Sequence, residues 1–97
     1  MIKSFKDKAT ADLFHGISSR KVRSLPNQIL DTAYYKLDIL NAATSLDDLR
    51  SPPGNRLEAL HGNFQDFHSI RINSQWRIIF RWHESNVFDV QIIDYHK

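Results

Sequence analysis

The chain has 97 residues, 41% hydrophobic and 11% aromatic, and no cysteine, which excludes disulfides, thiolate chemistry and cysteine-based zinc sites. No apolar run approaches the ~18 residues of a membrane helix, and Met1-Ile2-Lys3-Ser4-Phe5-Lys6 does not read as a signal peptide, so a soluble cytoplasmic protein is expected. The net charge of +2 is a mild pointer to an anionic partner. One domain over residues 1–97, burying roughly 60–65% of its unfolded surface, fits this length. Residues 1–53 carry eight basic and six acidic side chains, and 54–97 carry five of each. Four of the five histidines, His61, His68, His83 and His96, nevertheless fall in that formally neutral second half.

In chain order, Ile2 to Phe5 reads as a short opening strand. A helix follows from Asp7 to about His15, with Ala9, Leu13 and Phe14 on one face and Gly16 as its stop. Arg20-Lys21-Val22-Arg23 forms a basic patch, expected on a solvated, mobile loop. Pro26 suits a first helical position, and Ile29, Leu30, Ala33, Leu37, Leu40 and Thr44 recur at spacings of three and four, predicting a long amphipathic helix. Tyr34 and Tyr35 are expected as core or rim aromatics beside that stripe. Ser45 to Arg50 adds a helical turn. Ser51-Pro52-Pro53-Gly54-Asn55 then forces an extended crossing between layers.

The remainder reads as strands: Leu57 to Leu60, Phe67 to Ile72, Gln75 to Trp82 and Val87 to Ile93, with turns at Gly62-Asn63, Asn73-Ser74 and Glu84-Ser85-Asn86. Strand side chains alternate between faces. Ile70, Ile72, Trp76, Ile78, Phe80, Trp82, Phe88, Val90 and Ile92 therefore form an apolar face for the helices. Ser69, Arg71, Arg77, Ile79, Arg81, Gln91 and Tyr95 fall on the other. Three guanidiniums on one sheet face suit phosphate, because each offers a fixed fork of donors. The competing reading is a solvated face that keeps the sheet soluble. His68 falls on the apolar face as a core or rim residue, and His15 and His83 read as surface.

The run Arg50-Ser51-Pro52-Pro53-Gly54-Asn55-Arg56-Leu57-Glu58, with Leu60, Gly62, His68-Ser69-Ile70-Arg71-Ile72-Asn73, Gln75-Trp76-Arg77 and the closing Asp94-Tyr95-His96, resembles the HigB group of RelE/ParE-superfamily toxins. The resemblance spans nearly the whole chain. It implies an α+β, RelE-like fold in which two N-terminal helices pack on one face of a twisted, mainly antiparallel sheet. It further implies a type II toxin, a ribosome-dependent endoribonuclease that cuts translated mRNA. The implied partners are the ribosome, mRNA and a HigA-like helix-turn-helix antitoxin, with operator DNA reached only through the antitoxin complex. Some relatives carry a histidine where Glu58 stands and a lysine where His61 stands, which makes Glu58 a candidate base and His61 a candidate RNA contact.

RNA brings its own nucleophile, the 2′-OH. Cleavage then requires a base for that proton, donors for the phosphoryl oxygens and an acid for the departing 5′-oxygen, with no metal or cofactor. Arg77 and Arg71 are assigned to the phosphate and Arg81 is a further candidate. His96 is the preferred acid or base, Asp94 can orient it, and Tyr95 can stack on a splayed base or bond the phosphate. Two rival functions use the same parts: a ParE-like gyrase inhibitor, and a non-catalytic RNA-binding module with Tyr95 as its platform.

Overall fold

The computed structural model describes residues 1–95, so His96 lies outside the described residues. The chain begins extended and parallel to the last strand, where Lys3 N–H donates to the Val87 carbonyl at 2.7 Å and Lys6 N–H to the Val90 carbonyl at 2.8 Å. Asp7 caps α1 (Lys8–Phe14) by accepting from Thr10 N–H at 2.9 Å, satisfying a donor the helix leaves unpaired. Gly16, at φ 72, turns the chain out of α1.

The basic patch is a short helix rather than a loop. Ser19 caps α2 (Arg20–Arg23), with Val22 buried and Arg20, Lys21 and Arg23 exposed. Pro26 lies one position before the expected start, ahead of a 3-10 turn at Asn27–Ile29 that leads into α3 (Leu30–Ala42). Ile29, Ala33, Leu37 and Leu40 are buried as the spacing requires. Thr44 lies past the end of the helix and is exposed. Tyr34 and Tyr35 are not core residues: they are 47% and 59% exposed on the outer side of α3. Ser45 and Asp48 form a capping box on a 3-10 turn, Leu46–Arg50.

Four strands form an antiparallel sheet in sequence order: β1 (Glu58–Ala59), β2 (Phe67–Arg71), β3 (Trp76–His83) and β4 (Asn86–Asp94). Ile70, Ile72, Ile78, Phe80, Val87, Val90 and Ile92 pack against Ala33, Leu37 and Leu40 of α3 to make the core. α1 lies against β4, where Thr10 Oγ1 accepts from the Ile92 N–H at 3.0 Å.

One expectation on β4 is corrected. Ile79 faces Gln91 but Arg81 faces Phe88, so Phe80 is opposed by two residues, Asp89 and Val90. This bulge, with Asp89 at φ 54, shifts the alternation by one. Phe88 therefore joins the arginine face, and Val87 takes its place opposite Trp82 on the helix face.

Candidate RNA-binding recess

The arginine face is a recess, because Ser69, Arg77 and Ile79 on it are buried although the helices pack on the other side. Its centre is a cross-strand pair, Arg71 on β2 directly opposite Arg77 on β3. Two like charges so placed repel one another, a cost an anion between them would remove.

Three elements hold Arg77. Its Nη2 donates to the Arg56 carbonyl at 2.6 Å, its Nη1 pairs with Glu58 Oε1 at 3.2 Å, and its guanidinium carbon lies 5.3 Å from the Tyr95 ring centre. Arg56 sits in the left-handed region at φ 46, where a non-glycine residue is strained. Asn55 anchors the loop behind it: fully buried, it donates to the Leu49 and Ser51 carbonyls, both at 3.2 Å. The Pro-Pro-Gly-Asn-Arg segment is thus a backbone brace that aims a carbonyl at Arg77. Burial lowers the Arg77 pKa from its ordinary value; Glu58 and Tyr95 oppose that shift, and Arg71 and Arg56 add to it.

Two polar atoms in this recess are buried without a hydrogen-bond partner, Arg77 Nε and Ser69 Oγ. Unpartnered buried donors are costly, and here both border the Arg71–Arg77 pair.

The other sequence candidates divide by position. Tyr95 joins the cluster and is 37% exposed. Asp94 pairs with Trp76 across the ladder, which places it on the helix side of the sheet end, where Gln75 Nε2 donates to it at 3.0 Å. Arg81 stands four residues along β3 from Arg77, roughly 13 Å away. There it pairs with Asp89 Oδ2 at 3.1 Å instead of standing as an unpaired third arginine. His61 follows β1 towards that same far end and is exposed. A cleft of about 510 Å³, walled by His68, Arg81, Trp82 and Phe88, also lies at the far end, away from the Arg71–Arg77 pair. His68 stacks on Phe80 with ring centres 5.9 Å apart, as its place on the apolar face requires. Sequence reasoning did not single out Ser69 or Arg56 for the site. Ser69 carries an alternation signal shared with Arg71 and Arg77, whereas a carbonyl aimed by a loop leaves none.

A four-stranded antiparallel sheet, helices on one face and a basic recess on the other are the architecture of RelE-like toxins. Among solved structures, a YafQ variant from Escherichia coli superposes with a TM-score of 0.65 at 10% identity, over 97% of this chain and 91% of that one. YoeB in the heterotetrameric YoeB-YefM toxin-antitoxin complex of Staphylococcus aureus gives 0.59 at 11% identity, over 100% and 99%. At such identities the likeness is one of fold.

The sequence takes the assignment further. The family model for the HigB-like toxin, the RelE-like toxin of the type II toxin-antitoxin system HigB, matches residues 3–96, and the chain belongs to that family. Toxin HigB-1 of Vibrio cholerae is 43% identical over 82 residues, covering 84% of each protein. Endoribonuclease HigB of Proteus vulgaris is 31% identical over 97 residues, covering 99% of this chain and 100% of its own. The fold and the type II toxin class implied by the sequence motifs are both borne out.

Proposed function

We propose that this toxin is a ribosome-dependent endoribonuclease that inhibits translation by cutting mRNA in the cytoplasm, without a metal or cofactor. The observation that carries the reading is Arg77, braced by Arg56 and Glu58, with a buried unpartnered Nε and Arg71 opposite. The endoribonuclease name of the Proteus vulgaris relative supports it.

In the reaction, the 2′-oxygen bonds to phosphorus, its proton passes to a base, the P–O5′ bond breaks and an acid protonates the 5′-oxygen. Arg77 and Arg71 hold the non-bridging oxygens, whose charge grows in the transition state. Glu58, 3.2 Å from Arg77 and half exposed, is the candidate base within the recess. His96 is the candidate acid or base; Asp94, expected from the sequence to orient it, lies on the helix side of the sheet, away from the recess, and is the weaker member of the site. Tyr95 stacks on a base or contacts the phosphate. Arg81 and His61, at the far end, bind RNA further along the strand. The ribosome supplies the in-line geometry. A HigA-like helix-turn-helix antitoxin neutralises the toxin and carries it to operator DNA.

Primer extension on a reporter mRNA, with and without translating ribosomes, tests the reading with wild type, His96→Ala and Arg77→Ala. The expected result is cuts by wild type that need ribosomes and are lost in both variants. Intact mRNA with active wild-type toxin overturns nuclease action, and DNA-damage signalling on induction would then point to gyrase.

A further inference from the structure

Lys36 lies within the apolar stripe of α3, three residues after Ala33 and four before Leu40, and is only 9% exposed. A buried ammonium group is costly. Its Nζ donates to the Arg71 carbonyl at 2.6 Å. Burial, together with the charges of Arg71 and Arg77, pushes its pKa below the ordinary lysine value. The β1–β2 ladder stops at Glu58 and Ser69, so the Arg71 carbonyl lies beyond it and Lys36 takes that carbonyl from the helix side. On the other side of the sheet, the Arg71 side chain faces Arg77. The amine satisfies a carbonyl that the ladder leaves unpaired, which a neutral donor would also do, so the hydrogen bond by itself does not account for the charge.

We propose that Lys36 is a positioning residue of the phosphate site: its amine fixes the end of β2 so that Arg71 stands opposite Arg77, and its buried charge strengthens the attraction for an RNA phosphodiester from behind the sheet. The inference rests on the ribonuclease reading and adds to it a residue from the helical layer.

The test compares wild type with three variants. Lys36→Met keeps the volume without the charge, Lys36→Gln keeps an N–H donor, and Lys36→Arg keeps the charge. One readout is single-turnover mRNA cleavage on translating ribosomes, per folded molecule. The other is fluorescence anisotropy, across a salt series, of a short RNA blocked by 2′-O-methyl groups. Lys36→Met removes a buried ammonium group but leaves the Arg71 carbonyl without its donor, so its thermal midpoint is expected to fall modestly and the rate is read per folded molecule. Its cleavage is expected to fall roughly 10- to 100-fold through misplacement of Arg71. Its slope of log affinity against log salt is expected to shrink by up to about 0.7, the value for one phosphate neutralised on a single strand. Lys36→Gln shares the slope change and loses less rate, and Lys36→Arg keeps the slope. Wild-type rate and slope in Lys36→Met overturn the inference. A lower midpoint with an unchanged rate per folded molecule also overturns it, as the mark of a purely structural lysine. Should Lys36→Met not fold, Lys36→Gln decides by the same two readouts. RNA left uncut by wild type overturns the ribonuclease reading instead, and the salt slope then tests Lys36 by itself.

Discussion

Arg77 shows how much one side chain depends on its surroundings. Alternation along the strand puts it on the right face, since the period of two is a property of the extended chain. Its burial, its grip on the Arg56 carbonyl and its unpartnered Nε come from a loop more than twenty positions earlier. Replacement by alanine should lower single-turnover cleavage about 100- to 1,000-fold, the usual cost of removing one donor to a developing oxyanion. Arg77→Lys should not restore the rate, because an ammonium group cannot reach the Arg56 carbonyl, Glu58 and a phosphate in one plane. A lysine variant cleaving at the wild-type rate would contradict this account. His68 gives a second residue-level prediction. Burial lowers its pKa below the usual 6.5, so the folded state favours the neutral ring. The unfolded chain then binds the proton more readily, and the contribution of His68 to stability, full above pH 6.5, is lost as pH falls through the folded-state value. Thermal midpoints between pH 5 and 8 should fall on the acid side less steeply in His68→Phe than in wild type. Equal slopes in the two proteins would remove His68 as the cause.

Among the elements, β4 departs furthest from its sequence pattern. Val87 to Ile93 reads as a plain alternating strand, but the bulge at Asp89 moves Phe88 across the sheet. Ser4 Oγ, accepting from the Asp89 N–H at 2.9 Å, and Arg81, paired with its carboxylate, hold the bulge from two sides. Ser4 is 85 positions away and Arg81 lies on the facing strand of the hairpin, so no pattern within β4 announces the shift. Asp89→Val puts a β-branched residue into the left-handed region, and a loss of about 1–2 kcal/mol is expected. Denaturant unfolding measures it, and a midpoint equal to that of wild type would show that the bulge relaxes freely. The helices were more legible. Asp7 and Ser45 carry recognisable caps, and the stripe of α3 fits its burial. Lys36 occupies that stripe by the same spacing, although what its amine meets is set by β2.

Across the whole molecule, a single helix–sheet core supports the recess. Leu37 is fully buried at the centre of α3. Its replacement by alanine should cost about 2–5 kcal/mol, a large share of the roughly 5–15 kcal/mol typical of a folded domain. Thermal or denaturant unfolding reads this directly, and a change below about 1 kcal/mol would mean that the helix and sheet repack. The recess and the core lie on opposite faces of one sheet, so substitutions such as Leu37→Ala act on the amount of folded toxin, while those at Arg71 and Arg77 act on its chemistry.

The sequence by itself determined the two layers, the order of the strands, the facing of Arg71 and Arg77 and the family, because hydrophobic period and turn residues are written locally and the motifs are legible residue by residue along the chain. The tertiary structure alone decided that Arg77 is buried and braced, that Arg81 is paired with Asp89 at the far end, and that Lys36 reaches the Arg71 carbonyl. The Arg77 brace and the Lys36 bond join segments 21 and 35 positions apart, and the Arg81–Asp89 pair depends on the hairpin register set by the bulge, none of which a local pattern specifies.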